Sequence, residues 1–289
     1  MLIKPIWPAP RRINAFYTTR QGGVSQAPFD GFNLATHVGD QLEDVLANRK
    51  QLFDQACLPS EPVWLDQQHT DYALKLCNSV YSAQFDSSPL DSDVVVVPVA
   101  DASWTQQPGL VSVVVTADCL PILITNQAGT IVSAIHAGWK GLAKGIVSKT
   151  IQAFPEEVKQ DPSQLMAWIG PAISAQHFEV GQDVYDIFVK QDRTHAQFFQ
   201  SKPANKYMAD LPGLVKKELQ GLGVVDVFGG DLCSFELKEQ FYSYRRSGQT
   251  GRMACLIWIE EGSNRDSDTG DATSDHVRTE SSANGERIG

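Results

Sequence analysis

"VTADCLPILITNQAGTIVSAIHAGW", residues 115–139, decides how this chain is read. Two apolar runs flank the polar "NQAG", whose Asn and Gly suit a tight reversal, so the stretch predicts a β-hairpin. With those four residues as the loop, Thr125 faces Thr130 and Cys119 faces His136. On that register the two side chains share one face of the hairpin, their Cα atoms ~4.5–5.5 Å apart. A slip of one residue would send them to opposite faces. Alone, a cysteine is usually a small buried hydrophobe and a buried histidine a hydrogen-bonded core residue. As a facing pair they admit two chemistries: a nucleophile with its base, or two legs of a metal site.

A third ligand would favour the metal. "WLDQQHTD", residues 64–71, places His69 in a polar stretch after an apolar one. By itself it reads as a surface histidine. With Cys119 and His136 it completes a set of three borderline-soft donors that leaves a fourth tetrahedral position for water, the pattern of catalytic zinc. The spacing is too wide to be a motif in its own right.

Outward from the hairpin, strands and helices alternate. "DVVVVPVA" (93–100) and "GLVSVVVTA" (109–117) are dense and β-branched, as in strands buried on both faces. "LMAWIG" (165–170), "VVDVFGG" (224–230) and "RMACLIWIE" (252–260) read as further strands. "KGLAKGIVSKTIQAF" (140–154) spaces Leu142, Ile146, Val147 and Ile151 as one helix face would. "VGQDVYDIFVKQ" (180–191) predicts an amphipathic helix. "MADLPGLVKKELQGLG" (208–223) predicts a helix entered through Asp210 and ended by Gly221. The pattern predicts a single α/β domain over residues 1–261, with mixed β-sheets layered with helices. Residues 262–289 hold no aromatic residue and only Val277 and Ile288 as larger aliphatics, which predicts a disordered acidic tail.

Composition narrows the function. A formal net charge of -10 argues against nucleic acid or an anionic membrane as partner. No window approaches the roughly 18 apolar residues of a membrane span. "MLIKPIWPAPRRINAFYTTR" at the N-terminus has prolines and charges where a signal peptide has its apolar core, so a cytoplasmic protein is expected. The five cysteines are odd in number, scattered, and never in C-x-x-C, so reduced thiols are expected.

"TADCLPILI", "AIHAGWKG", "QQHTD", "TTRQGGVSQAPFDGFNLATHVGD" and "FYSYRRSGQTGR" together resemble the YfiH family. That family is also called laccase-domain or multicopper polyphenol oxidase-like, and its bacterial members purine nucleoside phosphorylases or peptidoglycan editing factors. The resemblance spans roughly residues 10–260 in the family's motif order. It implies a single domain of layered sheets and helices, similar in outline to a toxin cysteine-hydrolase fold. It also implies a metal site, usually zinc, at His69, Cys119 and His136. The implied activities are phosphorolysis of adenosine, inosine and methylthioadenosine to free base and pentose 1-phosphate, and hydrolytic deamination of adenosine.

The residues are compatible with that chemistry. Zinc lowers the pKa of a bound water toward ~7, enough for attack on C6 of adenosine. The H-x-E…P-C-x-x-C signature of cytidine-type deaminases is absent, so the solution would be a different one. Phosphate as co-substrate calls for cations. Arg20, Arg245 and Arg246 are candidates, alongside a solvated surface as their plainer role. Lys140 lies near a helix start, where an anion is favoured, or simply faces solvent. Trp139 and Tyr242 could stack on a purine, although core packing is the commoner fate of such rings. Asn33 and His37, in "FNLATHVGD", could line the pocket or serve a turn and the surface. His177, His195 and His276 are assigned nothing.

Three alternatives stand beside the phosphorylase. A multicopper oxidase needs a type 1 centre and a trinuclear cluster, together about ten histidines. The chain has six histidines. A single copper at the His–Cys–His set could still give weak phenol oxidation, because copper outcompetes zinc at most such ligands. A metal-free cysteine hydrolase would use Cys119 as nucleophile and His136 as base, which suits editing of peptidoglycan precursors. A non-catalytic interaction protein finds no repeat, coiled coil or basic patch in its favour.

Overall fold

The structure, a computed structural model, describes residues 1–85 and 97–261. Three sheets carry the fold. The largest has six strands in the order Asp226–Gly229, Leu165–Ile169, Leu120–Asn126, Val132–Ala137, Ala102–Thr105, Ala73–Lys75. Its outermost pairs are parallel and its inner ones antiparallel, so the sheet is mixed. A second sheet runs Leu2–Ile3, Ile13–Thr18, Met253–Ile259, Ser112–Thr116, and a third, smaller one runs Phe199–Lys202, Lys206–Ala209, Glu179–Gly181.

Alternation along the strands stacks these sheets into layers. Met253, Cys255, Ile257 and Ile259 meet Leu123, Val132, Ala134 and Trp168 of the large sheet, forming a core between the two sheets. The intervening Ala254, Leu256 and Trp258 turn the other way, against Leu52 and Ala56 of helix Leu42–Ala56. On the far side of the large sheet, Leu120, Ile122, Ile124 and Ile135 pack on helices Ile146–Ala153, Gln182–Gln191 and Leu211–Gly221. The result is helix, sheet, sheet, helices, with both central sheets buried on both faces. That is why their strands read as continuous apolar runs. Each sheet buries apolar surface worth roughly 25 cal/mol per Å2 on either side. Among the described residues, no helix is long and apolar enough to cross a membrane.

Several elements depart from the sequence expectation. The single helix expected over 140–154 is two, Trp139–Ala143 and Ile146–Ala153, broken at Gly145 with φ +82. Its four apolar positions are nonetheless all buried. Helix Leu211–Gly221 begins at Asp210, whose carboxylate accepts from Gly213 N–H at 2.9 Å, but runs through Gly221. The left-handed residue that turns the chain is Gly223, φ +88. Part of "DVVVVPVA" lies outside the described residues. The remainder is no strand: Val99 makes only an isolated bridge to Asp66, and Val97 and Val99 are exposed. The tail expected from residue 262 lies wholly outside the described residues.

The hairpin register is the most consequential difference. Thr125 pairs with Val132 and Pro121 with His136, two residues removed from the expected pairing. Asn126 widens the loop by accepting from Thr130 N–H at 2.8 Å and donating to Thr130 Oγ1 at 2.9 Å. Gly129 adopts φ +65 within it. A two-residue shift preserves the face of every side chain, so Cys119 and His136 still point toward the gap between the sheets. Cys119 now stands just outside its strand, opposite Gly138 when the register is extended, and meets His136 on the diagonal.

Candidate active site

His69, Cys119 and His136 converge at the open end of the two-sheet sandwich. One ligand atom from each lies within 4.8 Å of the others. The Cys119 Sγ to His69 Nε2 distance is 3.7 Å, and the two imidazoles meet edge-on with centroids 4.9 Å apart. A His/Cys/His set with this spacing could hold a tetrahedral metal ion and leave one position open.

Asp101 organises two of the three. Its buried carboxylate accepts from the Nδ1–H of His136 at 2.7 Å, which leaves Nε2 turned toward Cys119. The same carboxylate accepts from the backbone N–H groups of Gln68, His69 and Thr70, at 3.2, 3.1 and 2.5 Å. One side chain therefore fixes both a ring orientation and the loop that delivers His69. A carboxylate behind a ligating histidine is the usual outer shell of a metal site. His69 adopts φ +56, a left-handed conformation uncommon outside glycine, and Lys144 Nζ holds its carbonyl at 2.7 Å.

Cys119 is aimed by its neighbour. Asp118 has φ +93, and its carboxylate accepts from Ser234 Oγ (2.6 Å), Ser243 Oγ (3.1 Å) and Arg245 N–H (2.6 Å). These bonds hold a backbone geometry that would otherwise cost on the order of 1–3 kcal/mol. Gly138 supplies the space. A Cβ there would lie 2.5 Å from His69 Cδ2, 2.7 Å from His69 Nε2 and 2.9 Å from Cys119 Sγ. Glycine at 138 is thus required by the donor atoms around it.

Electrostatics prepare the thiol. Burial pushes Cys119 up, but His136 and then His69 outweigh it and hold the thiol down at about 6. Burial pushes His136 down, while Cys119 and Asp101 together raise it to about 9. Asp101 is raised by burial and lowered further by His136 and the Thr70 amide, ending below the usual carboxylate range. A thiolate, two imidazoles and a buried carboxylate behind one of them suit zinc.

The triad opens into a cavity of about 520 Å3, walled also by His37, Thr116, Trp139, Lys140, Phe178, Tyr244, Arg245 and Arg252. His37, Trp139, Lys140 and Arg245 of the sequence candidates lie here. Arg245 reaches it while donating to the carbonyls of His177 and Glu179. The other four candidates lie elsewhere. Arg20 pairs with Asp30 at 2.9 Å in a separate surface cleft. Arg246 opens on that cleft and donates to the carbonyls of Ser234, Phe235 and Phe241, tying a loop together. Asn33 is buried and bonds Ala35, Asp40 and Arg252 N–H. Tyr242 is 0% exposed, its hydroxyl donating to Phe29 O at 2.8 Å, so no purine reaches its ring. Tyr244, 60% exposed and on the cavity wall, occupies the place Tyr242 was expected to take.

The sequence also left Asp101, Thr116, Gly138, Tyr244 and Arg252 unassigned. Only Asp101 carries a local signal, an acid set in a strongly apolar run. His177, given no role, donates its Nε2–H to Glu236 Oε1 at 2.8 Å, stacks on Phe235 and lies beside Cys233.

A His/Cys/His donor set at the mouth of an α/β sandwich, backed by a buried carboxylate, defines a candidate metal centre. The chain belongs to the family described as multi-copper polyphenol oxidoreductase laccase, matched over residues 14–260, to which the YfiH-named proteins also belong. The purine nucleoside phosphorylase YfiH of Escherichia coli (strain K12) is 43% identical over 259 residues, spanning 89% of this chain and 98% of that protein. A purine nucleoside phosphorylase of Haemophilus influenzae is 41% identical over 260 residues, spanning 89% and 99%. Among solved structures, a Neisseria meningitidis protein superposes with a TM-score of 0.81 at 40% identity, covering 90% of this chain and 99% of that one. YlmD from Geobacillus stearothermophilus gives 0.80 at 27% identity, covering 90% and 96%.

Proposed function

We propose that the protein is a zinc-dependent, cytoplasmic purine nucleoside phosphorylase with residues 1–261 as its catalytic domain. It converts adenosine, inosine or methylthioadenosine and phosphate to free base and pentose 1-phosphate, and it deaminates adenosine hydrolytically. The observation that carries this reading is the content of one cavity: a His/Cys/His donor set, three cationic side chains and exposed aromatic faces in about 520 Å3. That volume suits a nucleoside-sized ligand. The phosphorylase names of relatives that match nearly the whole chain point the same way.

In phosphorolysis a phosphate oxygen bonds to the anomeric carbon as the bond from that carbon to the base nitrogen breaks. The bonding pair leaves with the base, which then takes up a proton. Zinc held by His69, Cys119 and His136 would supply Lewis acidity and acidify a water toward a pKa of ~7. Asp101 fixes the His136 tautomer through Nδ1. Lys140, Arg245 and Arg252 gather positive charge around an oxyanion in a protein of net charge -10. Trp139 and Tyr244 offer the ring faces that suit a purine. His37, pushed down by burial and then by Arg252, presents a neutral imidazole to the same space.

The oxidase wording of the family description does not fit a full multicopper centre here. Six histidines are too few, and two of the described ones, His177 and His195, line no part of this cavity. Copper at the single triad would compete with zinc. A second reading rests on the Cys119–His136–Asp101 line: a thiol held at about 6, its imidazole partner and an orienting carboxylate form a cysteine-hydrolase constellation suited to peptidoglycan precursors. One experiment separates the two. Adenosine is incubated with zinc-loaded protein, with and without phosphate, and the products are resolved. Adenine and ribose 1-phosphate appearing only with phosphate are expected, with inosine in both tubes. Unchanged adenosine in both would end the nucleoside reading and direct attention to Cys119 as a nucleophile.

A further inference from the structure

The wall of the cavity carries two polar side chains, Thr116 and Arg252, whose hydrogen-bonding capacity is not filled by the described residues. Thr116 ends strand Ser112–Thr116, is 2% exposed and lines the cavity, yet its Oγ1 has no hydrogen-bond partner among the described residues. A buried hydroxyl left unpaired costs on the order of 1–3 kcal/mol, so such groups are normally satisfied by something that binds. Arg252 directly precedes Met253, the register partner of Thr116, so both residues stand at the same end of the paired strands, where both line the cavity. Its Nη1 is occupied by the carbonyls of Thr250 and Gly251, at 2.7 and 3.1 Å. Nε and Nη2 have no hydrogen-bond partner among the described residues. The guanidinium is thereby oriented, half-buried, and left with open donors on the cavity wall.

The charges nearby decide what those donors take. Asp118 is committed to three donors of its own. Lys140 and Arg245 add two cations to the same cavity, and His37 faces Arg252 from the "FNLATHVGD" loop. A hydroxyl, a planar fork with free N–H groups and two further cations are the donor set for a tetrahedral oxyanion.

We propose that Thr116 and Arg252 form the phosphate subsite of this cavity, the Thr116 hydroxyl and the free Arg252 N–H groups donating to phosphate oxygens, with Lys140 and Arg245 closing it from the rim. The proposal rests on the phosphorylase reading for its biological sense, but the binding site stands on the unpaired groups alone. Inorganic phosphate and the phosphate end of a pentose 1-phosphate share this chemistry and would occupy the subsite before and after turnover.

The test is direct binding of inorganic phosphate, and separately of ribose 1-phosphate, to the zinc-loaded full chain by isothermal titration, with adenosine titrated in parallel. Thr116→Val keeps shape and removes the hydroxyl. It should weaken both phosphate ligands about 3- to 10-fold while leaving the melting temperature unchanged or higher. Arg252→Gln should weaken them by about 10-fold or more, with Arg252→Lys recovering part of the loss. Adenosine affinity should stay within about twofold in all three, against the tenfold that 1.4 kcal/mol would produce. Unchanged phosphate affinity in folded Thr116→Val and Arg252→Gln overturns the proposal, as does a loss confined to adenosine. If phosphate binds with the expected variant pattern but no adenosine is phosphorolysed, the subsite stands and the phosphorylase reading fails.

Discussion

Replacing Gly138 with Ala tests how the donor triad is accommodated. The backbone there has φ −73 and ψ 163, which alanine adopts freely, so any effect comes from the methyl group itself. That methyl would stand 2.5 Å from His69 Cδ2, 2.7 Å from His69 Nε2 and 2.9 Å from Cys119 Sγ. Ordinary carbon contacts lie at about 3.5–4.0 Å, so each neighbour must retreat by roughly 1 Å. Metal bonds tolerate deviations of only about 0.2 Å. Neither neighbour can yield easily: the His69 loop is bonded to Asp101, and Cys119 follows the clamped Asp118. Gly138→Ala should therefore lower zinc affinity by about 100-fold or more, at or beyond the top of the range for outer-shell changes. Overpacking should cost about 1–3 kcal/mol of stability, a fall of roughly 2–10 °C in Tm for a domain of this size. Zinc affinity is read by competition with a chromophoric chelator, and Tm by circular dichroism of the metal-free protein. Gly221→Ala is the control, because a Cβ there meets nothing within 4 Å, and it should leave zinc affinity unchanged. A Gly138→Ala protein that binds zinc within threefold of the parent would refute the packing argument.

Other changes separate the roles of neighbouring residues. Asp101→Asn keeps the shape but loses the charge that accepts from His136 and three backbone amides; zinc affinity should fall about 10- to 100-fold, measured by the same competition. Tyr242→Phe should cost about 0.5–1.5 kcal/mol in urea unfolding, from the lost bond to Phe29 O, and leave nucleoside KM unchanged. Tyr244→Ala should do the reverse, raising nucleoside KM with little change in stability, since its ring is exposed on the cavity wall.

The sequence made the faces of elements legible but not their exact register. Parity along the hairpin put Cys119 and His136 on one side, and that survived. The pairing itself depended on Asn126 closing a wider loop with its side chain, an interaction that apolar patterning does not encode. The layered sheets could be read because strands buried on both faces leave long apolar runs. The donor triad was readable through three short motifs. Asp101 was not, because its role arises only when Ala102 pairs with Ile135 and brings it behind His136. The arginines of "FYSYRRSGQTGR" show the same limit. Three lie within eight residues, and their directions are set by the Ser243 cap, which accepts from Arg246 N–H, and by Gly248 at φ +68. Arg245 and Arg252 reach the cavity while Arg246 turns into a loop. Tyr242 and Tyr244 divide likewise, one into the core and one to the wall.

The central claim is that nucleoside phosphorolysis depends on a metal held by His69, Cys119 and His136. The most direct test strips the protein of metal, returns zinc in measured steps, and follows ribose 1-phosphate formation from adenosine and phosphate alongside bound zinc. Activity should rise in proportion to bound zinc and level off at one equivalent, and folded Cys119→Ala and His136→Ala proteins should gain neither zinc nor turnover. Full turnover by the metal-free parent, or by a zinc-free Cys119→Ala protein, would contradict the account.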